Sequence, residues 1–259
     1  AGKEAYVEPV IENGSYRFTV KVGKPKNNEA AKLGTSAGKR SGFICLMSNT
    51  PLPYNYIRDE GKAGRMSERL MAIVAEGDRG RVYLAPIEDQ EMVAASAKPS
   101  WRPEAALPDN PRDFKTPNYG MPTFGDLFTS RQLVALTTFS DLVGEAMQQI
   151  RRDAVAAGVP DDNRPLRNSG TGELAYAEAI AAYLTAAIGK LSDYNSTICS
   201  WISGGQTMRN TFGRQAIPMV WDFAEANSLS DSTGSLSSAL NQIDRVVNEL
   251  PATNGAVVD

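Results

Sequence analysis

Arg58, Lys62, Arg65 and Arg69 recur at i, i+4, i+7 and i+11, so on a helix they would form one cationic stripe. Such a stripe suits the closely spaced negative charges of a nucleic-acid backbone. Gly61 and Gly64 weaken the helical reading, yet glycines also let a backbone approach a phosphate closely. The other reading is a solvated charged face, because Asp59, Glu60 and Glu68 are interleaved with the cations. Lys39 and Arg40, with Lys24, Lys26 and Lys32, decorate a stretch rich in Lys, Asn, Gly and Ser. Lys115 belongs to a run in which Trp101, Arg102, Arg112, Phe114 and Tyr119 interleave aromatic and basic groups. That mixture suits base stacking, or the pinning of a proline-rich segment to its own domain.

Other chemistry is limited by what the chain lacks. It contains no histidine, which removes Ser-His-Asp and Cys-His catalysis and nearly every common zinc or iron site. Asp109, Asp113 and Asp126 would hold a metal only if their segment folded them together, and each sits beside turn-forming residues. Thr116-Pro117-Asn118-Tyr119 has the wrong order, and one proline too few, for the motif with which amino-methyltransferases grip a base amine. No glycine-rich loop follows a strand and opens a helix, so no nucleotide or S-adenosylmethionine fingerprint is present. Catalytic, cofactor-binding and metal-binding residues are therefore all expected to be absent from this chain. Cys45 and Cys199 lie far apart and form no CxxC pair, which fits a reducing cytoplasm. No apolar run approaches the roughly 20 residues that span a bilayer, and the first residues do not read as a signal peptide.

The elements that position these residues are read from periodicity. The chain has 259 residues and a formal net charge of −3, which conceals an asymmetry. Residues 1–122 carry 18 Lys/Arg against 15 Asp/Glu, and residues 123–259 carry 9 against 15. The first part, 1–97, reads as hairpins: 6–11 and 16–22 flank Asn13-Gly14, and 70–76 and 81–85 flank Gly77–Gly80. Between them, 23–42 reads as a long loop and 43–47 as a short strand; 87–97 reads as a short helix. Residues 98–122 hold six prolines, which predicts an extended surface connector. The last part, 123–259, reads as helical. Thr129 and Gln132 form a capping box, and Leu133, Leu136, Val143, Met147, Ile150 and Ala154 continue one apolar face. A second helix is expected from about Gly172 into Ser200, a third over 206–227 with an interruption near Pro218, and a last one through Leu236 to Leu250, stopped by Pro251. The fold class is α+β, with a hairpin-rich first part followed by a mainly α-helical second part.

Two blocks are too idiosyncratic for generic core: GMPTFGDLFTSRQLVALTTFSDLV, ending at Val143, and RNTFGRQAIPMVWDFAEAN, from Arg209 to Asn227. Together with GKEAYVEPVIENGSYRFTV near the start and YIRDEGKAGRMSERLMAIVAEGDRGRVYL in the middle, they resemble the central region of large bacterial adenine-specific DNA methylases of the zinc-ribbon-containing family. The resemblance runs in order from about Lys3 to Pro251. It implies a parent enzyme that moves a methyl group from S-adenosylmethionine to the N6 amine of adenine. It also implies that the cofactor and catalytic motifs lie outside this chain, which alone is expected to be inactive. Where some relatives place zinc-binding cysteines, this chain has Cys45-Leu46-Met47-Ser48 and no second pair. The expected partners are DNA and the remaining methyltransferase domains, and no membrane. The expected role is DNA contact or target positioning by Arg58, Lys62, Arg65, Arg69, Lys39, Arg40 and Lys115. The rival role is a structural or protein-interaction module of a restriction or phage-defence system.

Overall fold

Asn13 and Gly14 adopt φ of 51° and 73°, the left-handed pair that lets a two-residue turn match the twist of its strands. The turn joins β1 (Ala5–Glu12) to β2 (Ser15–Val22), with Glu12 opposite Ser15 and Val7 opposite Val20. On β2, Tyr16, Phe18 and Val20 are half-buried, and the Tyr16 and Phe18 rings meet edge to face at 5.7 Å. The computed structural model describes residues 4–78 and 80–250. Residues 1–3, Arg79 and 251–259, which include the helix stop expected at Pro251, lie outside the described residues.

The expected long loop over 23–42 contains a short helix, α1 (Asn28–Leu33). Composition hid it, but Asn27 accepts from the Ala30 N–H at 3.0 Å and Gly34 closes the other end, so a capped turn forms. A minimal ladder follows, β3 (Phe43–Ile44) with β4 (Pro51–Leu52). Pro53 then leads directly into α2 (Tyr54–Lys62). The second hairpin pairs β5 (Ile73–Gly77) with β6 (Gly80–Leu84), and α3 (Glu88–Ala95) follows.

The helical part begins at α4 (Ser130–Ala156), 27 residues and so about 40 Å long. Thr129 and Gln132 close the capping box in both directions, at 3.2 and 2.9 Å. α5 (Glu173–Asp193) packs along α4, with Ala177, Ala187 and Leu191 fully buried. It stops at Asp193 rather than Ser200, and the chain turns through buried Asn195 and Ser196 into β7 (Ser200–Ile202). The helix expected over 206–227 does not form. Its start is β8 (Thr207–Arg209), paired with β7, and the rest is irregular, with Phe223 bridged to Ser200. α6 (Leu236–Glu249) is capped by Ser235 and packs on α5. The fold is α+β: small antiparallel strand pairs dominate early and helices late.

The chain divides into two compact units: Ala1–Ala97 with Ala105–Asp126, and Lys98–Glu104 with Leu127–Asp259. The proline-rich stretch is thus shared between them. Its 105–122 portion does more than cover a surface, because Leu107, Thr116 and Tyr119 are buried in unit 1. Proline fixes φ but does not prevent burial, and Pro117 starts the 3-10 turn Thr116–Tyr119. In unit 2, α5 is long and apolar enough to cross a membrane by length and composition alone. The sequence reading expected no such run; within the unit this helix packs on α4, with Ala175, Ala177, Ala187 and Leu191 buried.

Candidate nucleic-acid interface

The glycines beside the candidate arginines have a packing role. Gly61 lies inside α2, and a Cβ there would meet the Tyr119 carbonyl oxygen at 2.5 Å. Gly120 has φ of 81°, and its added Cβ would meet the Gly61 oxygen at 2.2 Å. Two backbones therefore touch with no side chain between them, and α2 is pressed onto the turn that carries Tyr119. This accounts for Gly61 without any bound phosphate. It also fixes Arg58, whose guanidinium carbon lies 5.6 Å from the Tyr119 ring centre and 6.0 Å from that of Tyr54. Arginine over an aromatic face keeps its charge while part of its stem is covered.

Because α2 ends at Lys62, the four basic residues do not form one helical stripe. Arg58 and Lys62 share the helix and are exposed. Arg65 folds back onto Glu60 through two hydrogen bonds of 2.7 and 2.9 Å. That bond, with the Arg65 charge, holds the Glu60 carboxyl below its ordinary value. Arg69 grips Glu91 of α3 at 2.8 and 3.1 Å, reaches the Tyr16 carbonyl at 3.3 Å, and lies 4.8 Å from the Tyr16 ring centre. Glu91 also accepts from the Leu70 N–H at 2.8 Å. Arg69 first, and the Leu70 N–H after it, lower the Glu91 carboxyl against a smaller opposing effect of burial. Arg69 thus joins the first hairpin, the segment after α2, and α3.

Lys39 and Arg40 sit at the tip of a tight turn, closed by Ala37 N–H to the Gly42 carbonyl at 3.0 Å. Arg40 itself has φ of 67°. A Cβ on Gly42 would come within 3.1 Å of the Pro53 Cα, so this turn is seated beside the start of α2. Both Lys39 and Arg40 are exposed. Lys115 is also exposed, and its ammonium donates to the Pro111 carbonyl. The structure therefore brings Lys39, Arg40, Arg58 and Lys62 to one helix and its adjoining turn, and gives Arg65 and Arg69 carboxylate partners. Of the aspartates weighed as metal ligands, Asp126 accepts from the Thr123 N–H and hydroxyl at 2.8 and 2.6 Å, and Asp113 accepts from Asn110.

Compared with protein-family models, curated proteins and solved structures, the chain matches none.

Sequence reading missed the carboxylates on which each unit is organised. In unit 2, Glu225 of the second unusual block accepts from Arg131 and, at 2.7 Å, from the Gln132 amide of the first block. The two blocks are one structural feature, joined at the cap of α4. Arg151 holds the fully buried Glu173 at 2.6 Å. Burial alone would raise the Glu173 carboxyl, but Arg151 and the backbone N–H groups opening α5 outweigh it and leave it lowered. No local spacing signals these pairs. Arg131 and Glu225 are 94 positions apart, and Arg69 and Glu91 are 22 apart.

The Cys45 thiol lies in the turn between β3 and β4, and the Ser48 hydroxyl with the Ser48 and Met47 N–H groups lowers it from its ordinary value. Among the described residues of unit 1, the two strand–helix junctions do not fit S-adenosylmethionine, which the resemblance implies for the parent enzyme. β4 enters α2 through Pro53 alone, and β6 enters α3 through Ala85-Pro86-Ile87, so neither junction offers a glycine-rich cradle.

Proposed function

We propose that the chain is a non-catalytic central segment of an adenine-specific (N6) DNA methyltransferase, and that unit 1 contacts DNA. The observation that carries this reading is the group Lys39, Arg40, Arg58 and Lys62, four exposed cations on α2 and the turn seated at its start. Cations on a rigid element hold a phosphate backbone without a further cost of ordering the loop. Arg65 and Arg69 support the scaffold through Glu60 and Glu91. In this reading S-adenosylmethionine and the catalytic motif belong to the remaining domains of the parent protein. Anisotropy of a labelled duplex of about 20 base pairs, titrated with the chain at about 50 mM and about 200 mM salt, tests it. Binding that weakens steeply with salt supports the proposal; no binding at the lower salt removes it.

A second reading, a protein-interaction module, is favoured by a different observation. A groove of about 260 Å³ between α5 and α6 is lined by Tyr183, Ala186, Lys190, Ala239, Gln242, Ile243 and Val246. Val246, Val247 and Leu250 at the end of α6 are 59%, 41% and 51% exposed, more apolar surface than a solvated helix needs. Sizing of the chain over a concentration series, with Val246→Asp as the control, separates this role from DNA contact.

A further inference from the structure

Phe212 is 50% exposed, although the residues on its N-terminal side are among the most firmly anchored in unit 2. The Asp193 carboxylate accepts from the Asn210 amide at 2.6 Å and from the Phe212 N–H at 2.9 Å. The Asp193 carbonyl accepts from both the N–H and the hydroxyl of Thr211, each at 2.8 Å. Thr211 is 2% exposed, and its hydroxyl also lies 2.7 Å from that of the buried Ser196. After the phenylalanine the chain turns so tightly that a Cβ on Gly213 would meet the Asn210 side-chain oxygen at 3.0 Å. The apolar ring is therefore held out by a built loop and is not left out by a loose one.

What the loop presents beside the ring indicates the partner. In the chain Arg209 and Arg214 lie three positions before and two after Phe212, both are exposed, and neither has an ion pair among the described residues. An exposed aromatic ring on a loop that also carries two exposed cations complements a chain of stacked bases joined by phosphates. A paired duplex hides its base faces, whereas a single strand offers them. We infer that the Arg209–Arg214 loop binds single-stranded nucleic acid, with one base stacked on Phe212 and the neighbouring phosphates held by Arg209 and Arg214. This site lies in the acidic half of the chain and is independent of the duplex contact proposed for unit 1.

The experiment uses the whole chain and a single-stranded oligonucleotide carrying one 2-aminopurine base, read by fluorescence. Binding should quench the base, and Phe212→Ala should weaken affinity about tenfold or more and abolish the quench. Phe212→Trp should retain both. Arg209→Ala with Arg214→Ala should reduce the salt dependence by about two phosphate contacts. Failure of the wild-type chain to bind the strand overturns the inference whatever the duplex does. So does unchanged affinity in Phe212→Ala with loss in Lys39→Ala/Lys62→Ala, which would place the strand on unit 1 and leave the duplex proposal standing.

Discussion

In unit 2, Leu127, Ala177, Ala187, Leu191 and Cys199 are shut off from water, whereas the buried apolar side chains among the described residues of unit 1 are Leu107 and Tyr119. Unit 2 has long helices packed in pairs, α4 on α5 and α5 on α6. Unit 1 has two-stranded ladders, each too small to form a core by itself, with Val22, Val82, Leu84 and Val93 exposed. Cohesion in unit 1 instead comes from a backbone contact, Gly61 against Gly120, and from the Arg69–Glu91–Tyr16 junction. The difference matters for function. Polar junctions leave charged residues on the surface of unit 1, and the same surface carries the cations proposed to meet DNA.

The two modes of cohesion respond to different perturbations. All three tryptophans, Trp101, Trp201 and Trp221, lie in unit 2, so their fluorescence follows that unit while hydrogen exchange on β1 and β2 follows unit 1. The largest effect is expected for Leu191→Ala, which empties a fully buried position and should destabilise unit 2 by about 2–5 kcal/mol in chemical denaturation. Gly120→Ala should come next, lowering protection of unit 1 by about 2–4 kcal/mol. It forces a Cβ into the left-handed region and against the Gly61 carbonyl. If tryptophan fluorescence reported the Gly120→Ala change as strongly as it reports Leu191→Ala, the two units would not be separable in this way.

Smaller effects sharpen the picture within unit 1. Arg69→Ala should cost about 1 kcal/mol, a value kept low because both partners are partly solvated. The pH dependence has a definite sign. The folded Glu91 carboxyl lies below its ordinary value of about 4.3. Its contribution is complete above that pH and is lost as pH falls through the folded value. Protection of β1 and β2 should therefore fall more steeply below about pH 4 in the wild type than in Glu91→Gln. Parallel acid limbs for the two proteins would show that the junction contributes nothing.

Elements set by adjacent residues were legible in the sequence: the Asn13-Gly14 turn, the Thr129–Gln132 capping box and the apolar stripe of the last helix. Elements set by distant partners were not. The apolar spacing over 206–227 suggested a helix, but Thr207–Arg209 pairs with β7 and the Asp193 carboxylate captures Asn210 and Phe212. Pro218 further disfavours a continuous helix there. Within the candidate site, the basic residues were legible and their partners were not. Glu60 and Glu91 hold Arg65 and Arg69, and the packing of Tyr119 against Gly61 is not visible in the sequence.

In the proposed interface Lys39, Arg40, Arg58 and Lys62 meet DNA while Arg65 and Arg69 hold the scaffold. Its most direct test is the salt dependence of duplex binding, compared between Lys39→Ala/Arg40→Ala/Lys62→Ala and Arg65→Ala. The triple variant should lower the slope of log K against log salt by about three phosphate contacts, while Arg65→Ala should leave it unchanged. An unchanged slope in the triple variant, or an equal fall in Arg65→Ala, would contradict it.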